Sequence, residues 1–180
     1  MSGRKILVFD DVLTVKEAET VRDAHFCLSE PEPIRWVDKG NEPYYMTKLI
    51  NIAAEHFDIS NAVGYDWWTQ INTFTYKGWH VDYEEKPWTI DRTLNVPLCS
   101  LIYYPLAAHV KGGELWTDDL KIPAKTNRLI MMSNNVPHKI APYNVDDSDR
   151  WSLLINPFDH FTEGTVKRIL KICFCNHTVK

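Results

Sequence analysis

Beyond Tyr65 the chain sustains no helical repeat until near Gly164: short runs of β-branched and aromatic residues alternate there with turn residues. Seven such runs stand out, at residues 68–76, 79–83, 96–104, 113–116, 128–132, 138–141 and 150–156, with 120–122 as an eighth. Strands this short cannot bury an apolar face alone, so they must pair into a sandwich or barrel. Ahead of them the spacing predicts two helices. The first spans residues 15–28, with Thr14 and Glu17 in capping-box spacing, Val15, Ala18, Val21 and Leu28 on a loose apolar face, and Pro31 and Pro33 ending it. The second spans 44–57, where Met46, Leu49, Ile50, Ala53, Ala54 and Phe57 recur at helical spacing before residues 60–64 break the pattern. Helices followed by a string of strands give an α+β class, mainly β, with the helices buttressing the sheets.

A length of 180 residues suits one domain with one core. Within it we expect helical support over about 1–64, a strand-rich core over about 65–158, and a C-terminal extension, 159–180, in which 165–174 forms a short basic helix or strand. No repeat or low-complexity tract interrupts this plan. The formal net charge of −4 argues against nucleic acid as a partner, because phosphate contacts need clustered Lys and Arg. The early apolar run Ile6-Leu7-Val8-Phe9 is too short for a signal-peptide core or a membrane span, so a cytoplasmic protein without membrane attachment is expected. Cys27, Cys99, Cys173 and Cys175 lack the spacing of a disulfide framework and are read as reduced thiols. Cys173-x-Cys175-x-His177 resembles a soft-metal cluster, but the fourth ligand a zinc site needs has no recognisable spacing here, and ordinary tail residues are the better reading.

Two His-x-Asp pairs occur, His56-Phe57-Asp58 and His80-Val81-Asp82. Residues two apart diverge on a helix and share a face on a strand. The first pair closes a helical pattern and reads as ordinary surface, whereas the second has strand context and can chelate one ion. His138, in a separate strand-like run, supplies a third donor. Two histidines and a carboxylate make a facial triad that leaves coordination positions open for O2 and a chelating co-substrate, an arrangement suited to non-haem Fe(II). The last run opens on Arg150-Trp151-Ser152, where Arg150 and Ser152 face one way. A guanidinium fork beside a hydroxyl fits a carboxylate, and an inward-facing Arg without such a partner would be costly. The competing reading of Arg150 is a rim ion pair with Asp146, Asp147 or Asp149.

His80-x-Asp82, Gly112-Gly113-Glu114-Leu115, His138 and Arg150-x-Ser152 together resemble the signature of 2-oxoglutarate/Fe(II) oxygenases, most closely the prolyl 4-hydroxylase-like branch. The resemblance covers residues 70–158 and implies a double-stranded β-helix, or jelly roll, with the metal in its mouth. It departs from the family in the tight approach Tyr76-Lys77-Gly78-Trp79-His80 to the first ligand. It implies that His80, Asp82 and His138 ligate Fe(II), that Arg150 and Ser152 hold the far carboxylate of 2-oxoglutarate, and that Tyr76, Tyr104 or Asn72 assists there. O2 is then the second co-substrate and ascorbate a reductant. The implied reaction couples oxidative decarboxylation, giving succinate and CO2, to hydroxylation of a substrate C–H bond. The substrate expected is a peptidyl side chain, prolyl first, or an amino acid or other small molecule.

Trp79, Tyr83 and Trp88 flank the ligands and are candidates for a substrate groove, against the commoner core role of aromatic residues in β-proteins. Gly112-Gly113 reads as a turn without a catalytic role. Residues 84–93 read as a long polar loop, either a lid over the substrate or plain surface. Two alternative functions use the same core. A cupin-like metalloprotein without 2-oxoglutarate would not need Arg150, and a binding module would keep the jelly roll without turnover. The sequence does not specify an oligomeric state.

Overall fold

The computed structural model describes residues 3–26, 34–71, 78–83, 95–144 and 149–162. In chain order they form β1 (Ile6–Asp10), α1 (Val15–Phe26), β2 (Arg35–Asp38), α2 (Tyr44–Ala54), β3 (Gly64–Ile71), β4 (Cys99–Ala108), β5 (Leu115–Thr117), β6 (Lys121–Ile122), β7 (Arg128–Ser133), β8 (His138–Ile140) and β9 (Asp149–Phe158). The strands pair antiparallel in a six-stranded sheet of order β1-β7-β4-β9-β3-β2 and a three-stranded sheet of order β6-β5-β8. This is a mainly β architecture with a jelly-roll core, the class the strand pattern calls for.

The large sheet is buried on both faces, and the period-2 alternation of its strands separates two cores. Leu101, Tyr103, Leu129, Met131, Leu153 and Ile155 point to one side and pack with Met46, Leu49, Ile50 and Ala53 of α2 and Val21 of α1. Their neighbours Ile102, Tyr104, Ile130, Met132 and Leu154 point to the other side and meet Leu115, Ile122 and Val136 under the small sheet. The helices therefore sit outside the jelly roll, and the space between the two sheets is left for the site.

The capping box forms as its spacing predicts. The Thr14 backbone N–H donates to Glu17 Oε2 at 2.9 Å, and the Glu17 N–H donates to Thr14 Oγ1 at 3.3 Å. Glu17 also accepts from Lys48 and Tyr44, which ties α1 to α2, and these bonds, that of Lys48 first, hold its carboxyl down at about 2. Val15, expected on the apolar face, is instead exposed at the first turn, while Ala18 and Val21 are buried. Leu28 and the prolines after it lie outside the described residues.

The N-terminal part contributes more than helices. Ile6–Asp10 forms β1, which joins the large sheet by pairing with β7, and Arg35–Asp38 forms β2 on the opposite edge. Neither strand has a local signal strong enough to stand alone; each is made by a partner distant in sequence. β3 begins at Gly64, earlier than residue 68, because residues 64–67 pair with β2; Gly64 lies under the Trp36 ring, where a Cβ would come within 2.2 Å of Trp36 Cζ2. Residues 79–83 do not form the expected strand, since only His80 makes a ladder contact, an isolated bridge to His138. No helix among the described residues is long and apolar enough to cross a membrane.

Candidate metal and carboxylate site

That isolated bridge is enough to place two of the three expected metal ligands. The His80 N–H donates to the His138 carbonyl at 3.0 Å and the His138 N–H to the His80 carbonyl at 2.8 Å, so the main chain holds the two residues side by side. Their rings lie 4.4 Å apart, tilted by 53°. Asp82 completes the cluster, with Oδ1 3.9 Å from His80 Nε2 and Oδ2 3.9 Å from His138 Nε2. One donor atom from each residue falls within a 4.8 Å span, and all three residues are buried or half-buried.

The tautomers are fixed from behind. His80 Nδ1 lies 2.7 Å from the Gly78 carbonyl and His138 Nδ1 lies 3.1 Å from the Val136 carbonyl. A carbonyl only accepts, so each Nδ1 carries the hydrogen and each Nε2 turns a lone pair toward Asp82. Two imidazole lone pairs and a carboxylate converging on one point can hold a divalent first-row cation. The other His-x-Asp pair does something different. His56 stacks on Phe9 at 5.2 Å, while Asp58 accepts from the backbone and hydroxyl of Ser60, hydrogen bonds that lower its pKa.

Arg150 and Ser152 occupy the interior face of β9 and are almost fully buried, at 2% and 1% exposure. The guanidinium donates from Nε to the Gly113 carbonyl at 3.1 Å and from NH2 to the Tyr104 hydroxyl at 3.0 Å. It lies against the rings of Tyr104 and Tyr143, 5.1 and 5.4 Å from their centroids. Burial raises the Tyr143 pKa, with the Arg150 charge and a hydrogen bond from it pulling the other way, so the phenol stays neutral. Ser152 differs from these neighbours: its buried Oγ has no hydrogen-bond partner among the described residues. A buried orphan hydroxyl beside a buried cation fits the carboxylate end of a bound molecule, which would accept from both. Tyr104 adds a third donor, because an oxygen that accepts from Arg150 keeps its own O–H to give.

Two members of this cradle were not assigned to it from the sequence, where Tyr143 carried no motif and Gly113 stood in its motif as a turn only. Tyr143 faces Arg150 from the loop after β8, held by an isolated bridge between Gly112 and Tyr143. Gly113 is more than a turn: with φ at +68, it offers its carbonyl to Arg150, and a Cβ would lie 3.1 Å from Arg150 Cδ and 3.2 Å from the Tyr143 ring. A side chain there would crowd both Arg150 and Tyr143 and strain the backbone, which glycine avoids. Asn72 and Tyr76, the other candidates for this end, lie outside the described residues, as do Asp146 and Asp147, Trp88, the segment 84–93, Cys27 and the Cys173-x-Cys175-x-His177 tail.

Beside the triad a half-open cleft of about 320 Å³ is lined by His80 and Asp82, by Trp79 and Tyr83, and by Asp66, Trp68, Asn156 and Phe158 of β3 and β9. Trp79 and Tyr83 stand partly exposed on its rim, at 49% and 38%. The Asp66 carboxylate accepts from the Thr162 hydroxyl at 2.7 Å.

No protein-family model and no curated protein matches the chain. Solved structures do. A viral collagen prolyl hydroxylase from Paramecium bursaria Chlorella virus 1, in its complex with 2-oxoglutarate, is 16% identical with a TM-score of 0.57, over 84% of this chain and 93% of that one. An oxidoreductase of the 2-oxoglutarate/Fe(II) oxygenase family from Burkholderia pseudomallei is 14% identical at 0.57, over 91% and 88%. A Trichoplax adhaerens prolyl hydroxylase, in complex with a hypoxia-inducible-factor degradation-domain peptide fragment, is 13% identical at 0.53, over 86% and 83%. The fold is that of the 2-oxoglutarate/Fe(II) oxygenases of prolyl hydroxylase type. At such identities the likeness is one of fold, and what an oxygenase jelly roll does in this chain is argued from its own side chains.

Proposed function

We propose that the protein is a 2-oxoglutarate- and Fe(II)-dependent dioxygenase that hydroxylates a C–H bond of a peptidyl, prolyl-type, or amino-acid substrate and releases succinate and CO2. The observation that carries this reading is the orphan Ser152 hydroxyl beside buried Arg150, on the same interior of the fold as the His80, Asp82 and His138 cluster. A metal cluster alone would serve a cupin-like protein equally well; a second, carboxylate-binding cradle is what 2-oxoglutarate requires.

His80, Asp82 and His138 hold the iron, with Gly78 and Val136 keeping both Nε2 atoms free for it through Nδ1. Arg150 takes the far carboxylate, oriented by Gly113 and Tyr104, and Ser152 donates to the same group. Thr117 pairs with His138 on β5–β8, four residues from Gly113, the Arg150 contact. Iron, 2-oxoglutarate and O2 supply the oxidising chemistry when bound, and the protein supplies ligation, orientation and a site shielded by Trp68 and Phe158. We place the activity in a reducing compartment, in keeping with the buried free thiol of Cys99, which burial pushes up to about 12.

The test is anaerobic titration of the iron-loaded protein with 2-oxoglutarate, read by the visible metal-to-ligand charge-transfer band, in wild type, Arg150→Ala and His138→Ala. Arg150→Ala is expected to retain iron and bind 2-oxoglutarate at least about 100-fold more weakly, from loss of charge-assisted bonds. His138→Ala is expected to lose iron. Absence of the band in iron-loaded wild type, or equal iron loss in both variants, contradicts the assignment.

A further inference from the structure

The metal site lies at the edge of the small sheet. β8 pairs with β5 on one side, and on its other side the segment 78–83 meets it through one bridge, His80 to His138. Those two hydrogen bonds are the main-chain attachment, among the described residues, of a segment that carries two of the three metal ligands. A regular antiparallel ladder would continue two residues away in each direction, pairing Gly78 with Ile140 and Asp82 with Val136. It stops, and the Gly78 and Val136 carbonyls accept from Nδ1 of His80 and His138 instead. Two neutral hydrogen bonds contribute little net stability, so a segment held this way needs a further hold.

The outer face of the small sheet supplies one. Leu115, Thr117 and His138 point into the fold, so Trp116 and Lys139, which alternate with them, point out. In the register of the bridge Trp79 lies opposite Lys139, at a non-hydrogen-bonded position, where cross-strand side chains come closest. The Lys139 ammonium sits over both indoles, 4.9 Å from the Trp79 centroid and 4.7 Å from that of Trp116. Trp116 also meets Lys121, its cross-strand partner from β6, at 4.3 Å. A row of Lys121, Trp116, Lys139 and Trp79 thus crosses the whole small sheet and runs onto the ligand segment. Lys139 is half-buried and makes no ion pair among the described residues, so the two rings are what meet its charge. A cation between two indoles attracts both, more strongly as water is excluded.

We propose that Lys139 is a positioning residue for the metal centre: by bridging Trp79 and Trp116 on the outer face, it clamps the segment that carries His80 and Asp82 onto the sheet that carries His138. The ammonium acts through the Trp79 ring on the ligand next to it in sequence. The clamp stands on the opposite face of the small sheet from the interior that holds Arg150 and Ser152, so it bears on iron and leaves the carboxylate cradle alone. It rests on the metal-site part of the function proposed above and not on the use of 2-oxoglutarate.

Amide exchange of the metal-free protein, followed residue by residue by NMR, reads the clamp without iron. In Lys139→Met, which keeps the stem and removes the charge, the His80 and His138 amides should exchange about 3- to 10-fold faster, while large-sheet amides keep their wild-type rates. Trp79→Leu should give the same change, and the double variant no more than either single one, because both remove one interaction. Lys139→Arg, whose guanidinium also lies well over indoles, should restore wild-type rates. Release of Fe(II) from the loaded protein to a ferrous chelator, without oxygen, should quicken by a similar factor in both single variants, since opening the segment frees two ligands at once.

Unchanged exchange at His80 and His138 in both single variants, equal acceleration throughout the large sheet, unchanged Fe(II) release in both, or rates in Lys139→Arg equal to those in Lys139→Met overturns the inference. Failure of wild type to bind Fe(II), with exchange at His80 and His138 quickened as expected, overturns the metal reading beneath it and not the clamp.

Discussion

Replacing Ser152 by alanine should stabilise the unliganded protein and weaken its co-substrate, two effects of opposite sign from one oxygen atom. Ser152 is 1% exposed, and its Oγ makes no hydrogen bond among the described residues. A buried orphan of this kind costs about 1–3 kcal/mol, and alanine removes the polar atom while leaving only a small void. A net gain of about 1 kcal/mol raises the melting temperature of a chain this size by about 2–4 °C. If the hydroxyl donates to the 2-oxoglutarate carboxylate, its removal forfeits a charge-assisted bond worth about 1.5–3 kcal/mol, or about 10- to 100-fold in affinity. Calorimetric melting without co-substrate measures the first effect, and anaerobic titration of the iron-loaded protein measures the second. A variant that melts lower than wild type and binds 2-oxoglutarate equally well would refute the reasoning, since Ser152 would then be packing and not an unfilled donor.

Two further predictions concern the cradle and the helical layer. Gly113→Ala places a Cβ at φ +68 and 3.1 Å from Arg150 Cδ, so the fold should lose roughly 1–2 kcal/mol, the cost of an L-residue in the left-handed region, read as a lower melting temperature, and 2-oxoglutarate should bind more weakly as Arg150 is pushed aside, while iron binding by atomic absorption stays unchanged. Glu17 has a carboxyl lowered to about 2 from its ordinary 4.5 by Lys48, Thr14 and Tyr44, so its stabilising contribution is full above pH 4.5 and is lost as pH falls toward 2. Melting curves of wild type and Glu17→Gln should therefore lie apart at neutral pH and converge near pH 2; a gap that persists there would mean that ionisation is not what ties α1 to α2.

Much of the site was legible because its spacing is a backbone property. His80-x-Asp82 and Arg150-x-Ser152 each put two side chains on one side of an extended segment, and the capping box at Thr14 and Glu17 needs only a three-residue offset. The same period, carried on from Arg150, reaches Asn156, which lines the cleft beside the metal ligands. The expected strand at 79–83 was not found, because a single bridge to His138 places His80 and Asp82 without regular pairing. β1 and β2 were missed for the complementary reason: Ile6–Asp10 and Arg35–Asp38 become strands only against β7 and β3, which lie far away in the chain.

What the sequence determined by itself is thus the mainly β class, the helical buttress, and the residue types of a metal and carboxylate site, all of which follow from local periodicity and fixed offsets. Tertiary structure alone decided that Arg150 is steered by the Gly113 carbonyl and the hydroxyls of Tyr104 and Tyr143, and that the Ser152 hydroxyl is buried without a hydrogen-bond partner among the described residues. Those facts depend on which groups two packed sheets bring within about 3 Å of each other, and a hydrogen bond is either made or missing at that distance. Spacing along the chain can place the Arg150 guanidinium on a face; only the fold says what it meets there, Tyr104 from the neighbouring strand β4 and Gly113 and Tyr143 from the segments flanking the small sheet.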